Sequence, residues 1–167
     1  RDGGWSRGLG DVYKRQTRGL SRINEGIDKC IYLGNLDSLR DWGHARDYVE
    51  MQWRMLQQNT PKDYVIATGK QVSVRKFIEI SANILGWGSE LNNPIQWEGK
   101  GLDEIGRRRD TGQIVVKIDP RYFRPAEVNS LLGNSSKAAK DLGWQPQTTL
   151  EELILSLIHI SEPTRPS

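Results

Sequence analysis

From residue 30 to residue 156, short apolar runs of strand character alternate with stretches of helical period, and no unit of this pattern repeats. That alternation confines the chain to an α/β or α+β architecture. Residues 30–34 (CIYLG) carry β-branched and aromatic side chains and read as a strand. Residues 35–38 (NLDS) turn the chain, and Arg40-Asp41-Trp42 starts a second short strand. Residues 45–57 read as a helix whose apolar face is Ala45, Tyr48, Val49, Trp53 and Leu56, with Pro61 beyond its end. Residues 64–68 (YVIAT) read as the next strand, closed by Gly69. Ser73 suits the N-cap of a second helix with Val74, Phe77, Ile78, Ser81, Ile84 and Leu85 on one face and Gly86 at its end. Residues 95–98 and 114–119 read as strands, and 99–112 as a polar, glycine-rich loop between them. Pro125 can open a short helix through Val128. Ser135 can cap a helix over 136–142 that Gly143 stops, and Thr149 with Glu152 forms a capping box for a last helix.

The chain of 167 residues is long enough for one domain with its own core. Its 36% hydrophobic and 27% charged residues are the balance of a globular protein, neither disordered nor membrane-embedded. The longest apolar stretch, 153–160, is interrupted by Ser156 and His159 and falls well short of the roughly 20 residues a bilayer span needs. Cys30 is the only cysteine, which rules out an intrachain disulfide and a cysteine metal cluster, and a reducing, cytoplasmic setting is expected. Residues 1–16 (RDGGWSRGLGDVYKRQ) and 157–167 (LIHISEPTRPS) lack a hydrophobic period and resemble peptides translated from sequencing-adapter DNA. Both are expected to be non-native or flexible, which leaves 17–156 as the native domain. The ends hold five of the 24 basic and three of the 21 acidic residues, so 17–156 carries 19 and 18. The apparent basicity sits in the ends, and a nucleic-acid partner is not expected. The run Arg107-Arg108-Arg109 reads as a solvated loop.

Two catalytic signatures are missing from the sequence. No G-x-G-x-x-G follows a strand, and Gly99-Lys100-Gly101 has the wrong spacing for a dinucleotide turn. No Tyr-x-x-x-Lys occurs: Tyr32, Tyr48, Tyr64 and Tyr122 lead to Leu36, Gln52, Thr68 and Ala126, and Tyr13 leads to Thr17. His44 is the only histidine outside the ends, which speaks against a metal site and for a hydrogen-bonding role at the start of a helix.

Two segments stand out, 37–48 (DSLRDWGHARDY) and 119–128 (DPRYFRPAEV). With the strand–turn–helix around them they resemble the extended short-chain dehydrogenase family of sugar-nucleotide enzymes. The longer strings LGNLDSLRDWGHARDYVEMQW and DYVIATGKQVSVRKF are similar to its GDP-mannose dehydratase branch, and the likeness covers about 17–156. The resemblance implies the C-terminal, substrate-binding part of a Rossmann-type α/β fold. It implies GDP-mannose as substrate, NADP as cofactor, and a homo-oligomer for the whole enzyme. The base tyrosine, its lysine, a threonine and a glutamate would belong to an N-terminal half, so no catalytic residue is expected here. In such enzymes a hydride leaves mannose C4, water is lost across C5 and C6, and the hydride returns to C6.

The resemblance also assigns roles. Arg40 matches an arginine on the nucleotide diphosphate, where a guanidinium can hold two oxygens at once and stays charged. Arg124 would face the same diphosphate, and Glu127 would take a ribose hydroxyl, since a carboxylate accepts both protons of a vicinal diol. Arg121 and Tyr122 would line the same cleft. The competing local readings are Arg40 paired with Asp41 or Glu50, and an Arg124–Glu127 salt bridge. Asn134 stands where relatives often carry Asp, and still caps the helix that follows. Another epimerase or reductase of the family, or a non-catalytic nucleotide-sugar-binding module, are the alternative functions.

Overall fold

The computed structural model describes residues 10–88, 93–125, 128 and 130–161. The chain divides into two compact units. One is drawn from Arg1–Gly34, Ile78–Phe123 and Ile154–Ser167, the other from Asn35–Phe77 and Arg124–Leu153.

The first unit is built on a four-stranded sheet in the order β1-β6-β5-β4, with β1 at Ile31–Leu33, β4 at Ile95–Glu98, β5 at Ile105–Arg108 and β6 at Ile114–Ile118. β1 runs parallel to β6, and the other pairs are antiparallel. β5 corrects the sequence reading, which placed a loop over 99–112. Only Ile105 advertises this strand; Gly106, Arg107 and Arg108 do not look like sheet. Gly106 is needed there, because a Cβ would lie 2.8 Å from the Trp97 ring and 3.0 Å from Val116 Cβ. Arg107 pairs with Glu98 across the ladder, while Arg108 pairs with Asp110 and lies over the Trp87 ring at 4.3 Å. These two arginines are therefore structural and not simply solvated. Ile95, Val115, Val116, Leu20, Ile78, Ala82, Trp87 and Ile154 are buried in this unit.

Two helices cross the boundaries drawn from sequence. α1 spans Gly10–Asn24, with Gln16 and Thr17 buried beside Leu20 and Ile23. Gln16 Oε1 is buried without a hydrogen-bond partner among the described residues. α5 spans Leu150–Ser161, and its Leu157 and Ile158 are 8% and 3% exposed. Residue 156 thus falls inside a packed helix.

The second unit holds a three-stranded sheet, β3-β2-β7, formed by Gln71–Ser73, Leu39–Asp41 and Ser130–Leu131. β2 is central, with Arg40 opposite Val72 on the antiparallel side and Leu131 on the parallel side. The expected strand at 64–68 does not form. Asp41 replaces a ladder there: its carboxylate accepts Thr68 N at 2.9 Å, Thr68 Oγ1 at 2.6 Å and Gly69 N at 2.9 Å. Trp42 stacks on Phe77 with ring centroids 4.4 Å apart and donates Nε1 to Val72 O.

α2 (Ala45–Leu56) forms where expected, capped by His44, whose Nδ1 accepts Arg46 N. Its buried face is a different one. Met51 and Asp47 are inside, while Val49, Trp53 and Leu56 are 62%, 60% and 82% exposed. Met51 packs with Ala138 and Trp144, flanked by Tyr48, Met55, Tyr64, Ile66 and Leu142. Asp47 goes in because its carboxylate holds the backbone amides of Gln147 and Thr148, and its carbonyl takes Trp144 Nε1. A satisfied carboxylate can occupy a position that hydrophobic patterning reserves for apolar groups.

The remaining helices follow their caps. α3 (Val74–Ile84) opens with Lys76 N on Ser73 Oγ, and α4 (Ser136–Leu142) closes at Gly143 in the left-handed region. Asn134, not Ser135, supplies the side-chain cap of α4, accepting Ser136 N at 3.0 Å. Thr149 and Glu152 make the reciprocal box at α5. The short helix expected after Pro125 involves 126 and 127, outside the described residues. No helix among the described residues is long and apolar enough to cross a membrane, and none of their acidic, histidine or cysteine side chains cluster as a metal site would require.

Candidate functional site

Arg40 sits in the middle strand of the second unit, where neighbours on both sides fix its backbone. Its Nη1 donates to Leu39 O at 2.8 Å and to Val128 O at 3.0 Å. The carboxylates considered as its alternative partners are engaged elsewhere as well: Asp41 with Thr68 and Gly69, Glu50 with Arg54. The bond to Val128 brings the Arg40 guanidinium onto the segment that carries Arg124.

A second tie joins the same stretches. Asn35 Nδ2 donates to Arg124 O at 2.9 Å, and Arg124 N donates to Asn35 Oδ1 at 2.9 Å. By its sequence Asn35 is only a turn residue; its side chain instead grips the backbone of Arg124, 89 positions away. No local pattern could have signalled this contact. The Arg124 side chain is exposed. Glu127, and with it the Arg124–Glu127 salt bridge, lies outside the described residues.

Arg121 and Tyr122 belong to the first unit, on the turn that follows β6. Asp119 N bonds Leu33 O at 2.8 Å, and Asp119 O accepts Tyr122 N and Phe123 N. Asp119 also grips Arg121, accepting its backbone N at 2.9 Å and its guanidinium at 2.6 Å. The Arg121 hydrogen bond holds the Asp119 carboxyl below its ordinary range, and the same pairing raises the Arg121 guanidinium. Arg121 also lies 5.7 Å from the centre of the Tyr122 ring. Its guanidinium serves the turn, although the side chain is 79% exposed. A Cβ on Gly34 would meet Tyr122 O at 2.1 Å, so this turn closes only over a glycine.

What the arrangement offers chemically is a pair of cationic side chains on fixed backbone.

Comparison with known proteins places the chain. The family model described as GDP-mannose 4,6 dehydratase matches residues 3–157. The chain belongs to the GDP-mannose 4,6-dehydratase family. The GDP-mannose 4,6-dehydratase of Vibrio cholerae is 51% identical over 162 residues, covering 91% of this chain and 42% of that enzyme. That of Homo sapiens is 44% identical over 153 residues, covering 92% and 40%. Among solved structures, RMD from Pseudomonas aeruginosa complexed with NADPH matches with a TM-score of 0.68 at 18% identity, over 90% of this chain and 42% of that one. GDP-mannose 4,6-dehydratase family membership thus comes with the extended short-chain dehydrogenase, Rossmann-type α/β fold. The chain spans about two fifths of the length of the relatives it matches.

Proposed function

We propose that this chain binds the GDP end of GDP-mannose within an NADP-dependent lyase that converts GDP-mannose to GDP-4-dehydro-6-deoxy-mannose. The observation that carries this reading is the Arg40 Nη1 bond to Val128 O at 3.0 Å, which joins the two segments bearing Arg40 and Arg124. Guanidiniums suit a diphosphate, because each presents a planar fork of donors that keeps its charge at any working pH. Glu127 takes a ribose hydroxyl. Arg121 and Tyr122 are left out of this reading, since Asp119 already engages the Arg121 guanidinium. The contribution to catalysis is orientation: holding the nucleotide end fixes where the hexose lies.

NADP does not fit the residues present. The sequence has no glycine-rich turn after a strand to approach a pyrophosphate, so no step of the reaction is assigned to this chain. The hydride acceptor and the proton-transferring groups belong to the part of the relatives that the match does not span. The chain alone is inactive in this reading: incubation with GDP-mannose and NADP yields no 4-keto-6-deoxy product, and enzyme-dependent turnover would overturn that. The binding claim is tested by calorimetric titration of the chain with GDP and with UDP. Preferential binding of GDP is expected. Equal affinity, or a preference for UDP, would favour an epimerase-like relative and sink the assignment.

A further inference from the structure

Building on the assignment of Arg124 to the diphosphate, we propose that Asn35 is a positioning residue for that arginine. Arg124 precedes Pro125, whose ring disfavours the helical region for the residue before it and holds Arg124 extended. An extended residue presents its N–H and C=O toward the same edge, as in the hydrogen-bonded pair of an antiparallel ladder. Satisfying both at once takes a group with an acceptor and a donor side by side. The primary amide of Asn35 is such a group, and it meets both at 2.9 Å. Asn35 acts as a one-residue strand neighbour.

The amide is itself anchored. Leu36 is buried, Arg75 N donates to Leu36 O at 2.9 Å, and Val74 N donates to Ser38 O at 3.3 Å. Asp37 pairs with Arg75 at 2.9 Å. The turn at 35–38 is therefore pinned to the start of α3 and cannot follow Arg124 if that residue drifts. Asn35 also stands five positions before Arg40. One tie runs from the turn to the Arg124 backbone, and the other from Arg40 to Val128 O. Together they set the spacing between the two arginine-bearing stretches. Without the amide, Arg124 must be ordered by the ligand, and affinity for a diphosphate falls.

The test is GDP binding by calorimetry, with a thermal melt of each protein, for the unaltered chain, Asn35→Ala, Asn35→Asp, Arg124→Ala and the Asn35→Ala/Arg124→Ala double variant. Loss of one or two hydrogen bonds at a site of this kind corresponds to roughly threefold to tenfold weaker binding for Asn35→Ala. Asn35→Asp does no better, because a carboxylate oxygen then opposes Arg124 O. In the Arg124→Ala background, Asn35→Ala adds no further loss. An Asn35→Ala loss that persists in full without the Arg124 guanidinium would mark a general structural role and overturn the proposal. So would unchanged binding in both Asn35 variants. If Asn35→Ala melts early, Asn35→Ser carries the same comparison. Failure of the unaltered chain to bind GDP, or full affinity in Arg124→Ala, would instead bring down the assignment on which this inference rests.

Discussion

Replacing Asp47 by alanine tests how the second unit is held together. Asp47 is 2% exposed, and its Oδ2 accepts Gln147 N at 3.2 Å and Thr148 N at 2.9 Å. These amides lie just before the capping box of α5, so the carboxylate fixes where that helix begins. Hydrogen bonds to a charged group contribute about 1.5–3 kcal/mol each, with the longer one here near or below the low end. Their loss leaves two amides short of an acceptor and costs about 3 kcal/mol. For a chain of this size that lowers the melting temperature by about 6–12 °C. Asparagine is the informative control. Both amides use the same oxygen, so an asparagine carbonyl placed there keeps both bonds and gives up only the charge, at about 1 kcal/mol or less. Differential scanning calorimetry at neutral pH measures both variants. An alanine variant within about 0.5 kcal/mol of the parent, or an asparagine variant as unstable as alanine, would refute the reasoning.

Three further outcomes follow from the packing. Gly34→Ala forces a Cβ against Tyr122 O and costs about 2 kcal/mol or more, whereas Gly26→Ala, with positive φ but nothing within 4 Å, costs about 1 kcal/mol; chemical denaturation of both compares them. Glu152 is held below its ordinary carboxyl range by the Thr149 backbone N–H, so the stability of the α5 cap is present above the ordinary glutamate value and is lost as pH falls through the depressed one. An NMR titration places the Glu152 carboxyl below a normal glutamate, and Glu152→Gln flattens the acid limb of the melting curve. Ending the chain at Ser156 removes Leu157 and Ile158, both nearly fully buried, and costs about 3–5 kcal/mol in a denaturant melt; a melt unchanged by that truncation would show the last turns of α5 to be dispensable.

Much of the fold could be read from local signals because those signals are local physics. Ser73, Gly86, Gly143 and the Thr149–Glu152 box each act within a turn of where they stand, and the helices they bound form accordingly. What could not be read depends on partners distant in sequence. Asp47 points inward because residues 147 and 148 need an acceptor, so the apolar face of α2 was misplaced onto Val49, Trp53 and Leu56. Residues 64–68 have strand composition, yet Asp41 captures the end of the segment and no ladder forms. β5 has the composition of a loop, and is a strand by its ladders to β4 and β6, where Gly106 leaves room for the Trp97 ring. The candidate site divides the same way. Arg40 and Arg124 were visible as motif residues, while Asn35 became visible only once the chain returned to it from residue 124.

The most direct measurement of the central claim is the affinity of Arg40→Lys for GDP, read with its melting temperature. Lysine keeps the positive charge but lacks the planar fork. If Arg40 holds the diphosphate, GDP binding weakens by roughly tenfold or more. Lost contacts to Leu39 O and Val128 O account for a modest fall in melting temperature. A lower melting temperature with GDP affinity unchanged would make Arg40 a structural strand arginine and contradict the account.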